Sequence, residues 1–189
     1  HAMSFFIPGR TRCAICGEPL VHRVDAAQLS TISPAVLPEW AKLSRAFVHR
    51  LCWEHWPHRD AYACAARNML LQAPVQETER RLFERDGLFL IELPSVRIFR
   101  ILDTWAPLTA DVPAGDAAGL PSAVLAALSN HTALELTVGS ATWTLIPTGE
   151  GDWELTLSHE REPFERVGSL GGRQALWLEL MRKLQRAMG

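Results

Sequence analysis

The stretch LELTVGSATWTLIPTGEGDWELTL, residues 134–157, decides the fold class. Apolar side chains recur at every second position: Leu134, Leu136 and Val138, then Trp143 and Leu145, then Trp153, Leu155 and Leu157. Period two marks strands with one buried face, so three strands are expected. Gly139-Ser140 suits a two-residue type II′ turn, because glycine supplies the positive φ needed at the first central position. That turn pairs Leu136 with Trp143 and Leu134 with Leu145. A five-residue loop over 148–152 then pairs Leu145 with Leu155 and Trp143 with Leu157. Both connections keep the apolar residues on one side, which a slip of one residue would turn outward. The expected product is an antiparallel β-meander.

Such a face needs a cover, and residues 173–187 supply one. Leu176, Leu180 and Leu184 follow each other at four-residue intervals with Trp177 and Met181 beside them, an apolar stripe along a helix. Arg182, Lys183 and Arg186 near its end complement the helix dipole, and Gly171-Gly172 free the chain to turn back across the sheet. Trp143, Trp153 and Trp177 are then core residues rather than a ligand box.

Further toward the N-terminus the pattern predicts a short helix from Ser122 to 128, capped by the Ser122 hydroxyl. A loop rich in Pro, Gly and Ala is expected over 107–121. Strands are expected at 88–93 and 96–102, separated by Pro94-Ser95, with a short charged helix at 77–85 ended by Asp86-Gly87. The pattern changes at Ala73-Pro74, which divides the chain into residues 3–75 and residues 76–189. Ahead of that boundary a helix can start at Pro57, where a proline is tolerated in the first turn, and run to about 71. Residues 34–50 read as a short helix or pair of turns, with Val36, Leu37, Trp40, Leu43 and Phe47 near helical spacing. Neither repeats nor low-complexity tracts stand out. The fold class is α+β.

Of 189 residues, 48% are hydrophobic and 21% charged, with a net charge of −2, which places the chain among globular domains able to bury a core. His1-Ala2 ahead of Met3 read as the remnant of a cleaved tag, so His1 is set aside as a ligand. No apolar run reaches the roughly 20 residues that cross a bilayer, and the start lacks a signal-peptide pattern, so a cytoplasmic protein is expected. Residues 1–75 hold eight Lys/Arg against five Asp/Glu, and residues 76–189 hold eleven against sixteen. The acidic second part speaks for a basic protein partner and against a nucleic-acid surface.

Four cysteines stand at positions 13, 16, 52 and 64. In a reducing compartment, close cysteines point to metal rather than to disulfides. Cys13-Ala14-Ile15-Cys16-Gly17 has the form of a zinc knuckle, in which two thiolates turn toward one ion and the glycine allows the tight turn. His49-Arg50-Leu51-Cys52 offers a second pair at equally short spacing, completing a tetrahedral Cys3His set for one structural Zn²⁺. His55 and Cys64 compete with His49 for the fourth position, and the preference of zinc sites for paired ligands favours His49. Cys64 reads better as a small apolar group on its helix, and His22 and His58 as surface or capping residues. A seventy-residue segment with many prolines gains from zinc what its small core lacks.

Residues 4 to about 70 resemble treble-clef and LIM-like zinc modules, through Cys13-Ala14-Ile15-Cys16-Gly17-Glu18-Pro19-Leu20 and Phe47-Val48-His49-Arg50-Leu51-Cys52-Trp53. They look in particular like small bacterial proteins with a CxxCG-x-P-[IL] knuckle and a later F-x-H-x-x-C followed by Trp and Arg, positions that Trp56 and Arg59 fill here. Some proteins of that kind belong to toxin-and-immunity loci. The resemblance implies the four zinc ligands, and it implies a partner: a toxin that this chain neutralises by direct binding. Residues 76–189 resemble no family.

The leading expectation is therefore a non-enzymatic, zinc-stabilised binding protein of the immunity kind. One alternative is a degenerate nuclease of the HNH type, whose core is also braced by a zinc knuckle. That family places an Asp-His or His-His pair after the knuckle, whereas here Val24-Asp25 is followed by Ala26 and His22 stands on the wrong side. The other is a nucleic-acid-binding zinc module, for which Arg10, Arg12, Arg23, Arg45, Arg50, Arg59 and Arg67 are too scattered.

Overall fold

The computed structural model describes residues 6–22, 25–32, 38–73, 76, 78–115, 118–149, 151–160 and 166–189. The fold is α+β, with antiparallel sheets and a C-terminal helix. Strands β1 (Ala26–Gln28) and β2 (Phe47–His49) pair into a small ribbon, with a 3-10 helix, Pro38–Leu43, on the connection between them. Helix α1 (Arg50–Glu54) follows β2 directly, and α2 (Arg59–Gln72) comes next. The short helix expected within 34–50 is the 3-10 helix Pro38–Leu43, and only the later part needs correction: it is β2, because Phe47 and Val48 bury themselves by pairing with Gln28 and Ala27; residues 33–37 lie outside the described residues.

The rest of the chain runs through one arrangement twice. Strands β3 (Arg80–Arg85), β4 (Leu88–Leu93), β5 (Ile98–Asp103) and β6 (Leu108–Pro113) form a four-stranded meander followed by helix α3 (Leu120–Asn130). Strands β7 (Leu134–Val138), β8 (Ala141–Pro147), β9 (Trp153–His159) and β10 (Arg166–Ser169) form another, followed by α4 (Gln174–Met188). The sequence carries no visible repeat, yet the order of elements repeats.

The second meander has the register its alternation demands. Leu136 faces Trp143 and Leu134 faces Leu145, while Leu145 faces Leu155 and Trp143 faces Leu157. Gly139 takes φ +59, as its turn requires. Strand β10 extends the sheet by one strand that the sequence left unannounced.

Three expectations in the first meander need correction. The charged segment before Asp86-Gly87 is strand β3, not a helix. Asp86 and Gly87 both take positive φ, 47° and 79°, which makes them a two-residue hairpin turn rather than a helix stop. Pairing with the buried β4 outweighs the local charge pattern. The expected loop over 107–121 contains β6, whose Leu108, Ala110 and Val112 alternate into the core opposite Asp103, Ile101 and Phe99. Helix α3 starts at Leu120 with Pro121 in its first turn, so Ser122 is no cap; its hydroxyl instead accepts a hydrogen bond from Gln185 Nε2 at 2.9 Å.

Side chains from both meanders, α3 and α4 share one core, in which Trp143, Trp153 and Trp177 are buried. Helix α4 was expected to cover the meander that precedes it. Its chief neighbours are instead α3 and strands β3 and β4 of the other sheet, with Gln174 Oε1 accepting from Trp153 Nε1 at 3.3 Å as a tie to its own. A second core gathers Phe6, Leu20, Phe47, Val48, Trp53, Tyr62 and neighbours, and Trp105 from the β5–β6 turn packs against it. Tyr62 donates its hydroxyl to the Ser30 carbonyl at 2.7 Å and the Leu43 carbonyl at 3.2 Å, and burial pushes the pKa of that hydroxyl up. No helix among the described residues is long and apolar enough to cross a membrane.

Candidate metal centre

Residues 12–19 fold back on themselves around the first cysteine pair. Cys13 N–H donates to the Glu18 carbonyl and Gly17 N–H to the Cys13 carbonyl, both at 2.8 Å, and Arg12 bridges to Pro19. Gly17 takes φ +82 to close the turn, a conformation in which a Cβ would be strained. Ala14 N–H donates to the Phe47 carbonyl at 3.0 Å, which seats the turn on the end of β2. The second pair arises where β2 becomes α1: His49 ends the strand, and Cys52 lies on the single helical turn that begins at Arg50.

These two local structures bring Cys13, Cys16, His49 and Cys52 together, with their donor atoms all within 4.8 Å of one another. His49 Nδ1 lies 3.4 Å from Cys16 Sγ and 3.8 Å from Cys52 Sγ. A tetrahedral zinc with Zn–S of about 2.3 Å and Zn–N of about 2.0 Å separates its donors by roughly 3.5 to 3.8 Å. The spacing fits a single small cation. Cys13 is buried, Cys16 exposed, and His49 and Cys52 lie between.

The thiols interfere with one another's ionisation. Burial pushes Cys13 up, but N–H groups of Cys16, His49 and Ile15 outweigh it and draw the thiol down to about 7; the His49 N–H stands 3.3 Å from the sulfur. Burial, together with the neighbouring Cys16 and Cys13, pushes Cys52 up to about 12. One thiolate forms readily and discourages the next, a conflict that a divalent cation removes. The donor set, three soft sulfurs and one imidazole, suits zinc.

The competing ligands lie elsewhere. The His55 ring engages the Leu51 carbonyl at 2.9 Å, and Cys64 accepts from Asn68 Nδ2 at 3.7 Å on α2. His58 stacks against Trp40 and Trp56. Among the described residues, no other group of three or more His, Cys, Asp or Glu is placed to hold a metal.

The centre also fixes what α1 presents to the second part. Arg50, between His49 and Cys52, reaches Glu154 of β9 at 2.9 Å, and Trp53 Nε1 donates to the Trp105 carbonyl at 2.9 Å. Trp105 is itself set by Asp103, whose carboxylate accepts from the N–H groups of Trp105 and Ala106 and from Arg173 at 2.5 Å. Sequence spacing gave no sign of the Arg50–Glu154, Trp53–Trp105 and Arg173–Asp103 contacts, since these partners stand 104, 52 and 70 positions apart and only the fold joins them. Comparison with protein-family models, with curated proteins and with solved structures returned no match.

Proposed function

We propose that Cys13, Cys16, His49 and Cys52 bind one structural zinc ion in a treble-clef-like module, and that the chain is a non-enzymatic binding protein. The convergence of four donors within 4.8 Å of one another, with His49 Nδ1 at 3.4 and 3.8 Å from two of the sulfurs, carries this reading. Four protein ligands fill the shell of a structural zinc, leaving no open position for water, so the ion braces the fold instead of activating a nucleophile. The partner class is a toxin neutralised by direct contact, with the acidic residues 76–189 as the recognition side.

Two measurements test the two halves of the proposal. Elemental analysis of the purified protein is expected to give one zinc per chain, and Cys16→Ser or Cys52→Ser to lose most of it; a metal-free parent protein sinks the zinc assignment. Co-expression with the product of the adjacent gene is expected to give a stable complex and relief of that product's toxicity, and absence of both sinks the immunity role. The nucleic-acid alternative finds less support, because Arg12 already donates to the Gly17 carbonyl and Arg50 to Glu154.

A further inference from the structure

A cleft of about 550 Å³ opens where α1 and the start of α2 meet the β5–β6 turn, the end of β10 and the residues that follow it. Ligand sites of small molecules fall in that size range and favour such junctions. Arg50, Arg59 and Arg173 all line it. Two of them are neutralised. Arg50 holds Glu154 at 2.9 Å and stands 4.0 Å from Glu54, and Arg173 holds the buried Asp103.

Arg59 pairs with no carboxylate among the described residues. Its Nη2 reaches the Trp105 carbonyl at only 3.4 Å, and its Nε is buried with no hydrogen-bond partner. The guanidinium stands over the Trp53 ring, 5.9 Å from the centroid. A partly buried cation with one long bond to a carbonyl is costly unless something else compensates its charge. A planar guanidinium fork matches an oxyanion, and better than an ammonium would. Glu54 also lines the cleft, and its negative charge disfavours a ligand carrying several anionic groups there, while the His55 ring is turned to the Leu51 carbonyl.

We infer that this cleft binds a small molecule through one oxyanion, a carboxylate or a phosphate, held against Arg59. The inference stands on residues other than the four metal donors and is independent of the toxin reading.

The full-length, zinc-loaded protein, labelled with ¹⁵N, is titrated separately with acetate, benzoate, inorganic phosphate and phenyl phosphate. Saturable shifts are expected at Arg59 Nε–H and at the indole N–H groups of Trp53 and Trp105, and the tighter of the carboxylate and phosphate arms assigns the group. Arg59→Gln is expected to weaken binding roughly tenfold or more, and Arg59→Lys, which keeps charge but loses the fork, to fall between. Equal binding by Arg59→Gln overturns the inference. Should that variant not fold, the parent protein decides: shifts that fail to saturate with all four probes, or that scatter over exposed arginines such as Arg10 and Arg97, overturn it equally.

Discussion

The thiols of Cys13 and Cys52 are pulled in opposite directions: burial raises Cys13 but peptide N–H groups outweigh it and draw the thiol down to about 7, whereas burial and the neighbouring Cys16 and Cys13 push Cys52 up to about 12. Two consequences follow at the scale of single residues. Zinc must displace the Cys52 proton, so binding releases protons and weakens as pH falls; competition with a chromophoric chelator across pH 6 to 8 is expected to show a steep loss of affinity on the acid side. In chelator-stripped protein the thiols work alone. The lowered Cys13 value adds stability that is complete above the ordinary thiol value of 9.0 and is lost as pH falls through about 7, whereas the raised Cys52 value adds stability that is lost as pH climbs from 9.0 toward 12. Melting temperature of the stripped protein is therefore expected to peak near the ordinary thiol value, and a flat alkaline limb would contradict this. Asp103 is the other residue of consequence: only 1% of its side chain is exposed, and it faces Arg173. Asp103→Asn removes the negative charge and leaves that guanidinium unmatched, at an expected cost of about 3 kcal/mol in urea denaturation.

Among the elements, the β3–β4 hairpin is sensitive at its turn. Gly87 takes φ +79, and a Cβ there would collide with the Thr104 hydroxyl and stand 2.9 Å from the Trp105 ring. Gly87→Ala is expected to destabilise by roughly 1–3 kcal/mol, with strained backbone and displaced turn acting together. Helix α4 should tolerate change on its outer face and not at Leu180, which is fully buried; Leu180→Ala is expected to cost about 2–5 kcal/mol. The same elements explain which parts of the fold were legible in the sequence. Strands β7 to β9 could be read to the residue, because one face is apolar, the other polar, and a glycine marks the turn between the first two. Strand β3 could not, since its Arg and Glu side chains follow the needs of a sheet edge, and Asp86-Gly87 serves equally as a helix stop or a hairpin. Strand β6 was hidden by the prolines and glycines around a short alternation that only its pairing with β5 makes decisive.

For the molecule as a whole, the convergence of Cys13, Cys16, His49 and Cys52 was legible because zinc knuckles compress their ligands into short sequence intervals, and the fold had only to join two such intervals. The Arg59 cleft was not, because its walls come from four separated segments. Their junction ties the two cores together through Trp105, and this ties chelation to a defined region. Removal of zinc is expected to speed amide exchange in α1 and the β5–β6 turn well before β7 to β9, as read by hydrogen–deuterium exchange; uniform loss of protection would contradict it.

Because α4 closes over strands that lie some ninety positions earlier in the chain, neither meander with its own helix makes a self-sufficient unit. A fragment ending before residue 174 would leave apolar side chains of β3 and β4 facing water. A ribosome must therefore carry synthesis through α4 before the larger core can close, and truncation within that helix would leave a product prone to aggregate.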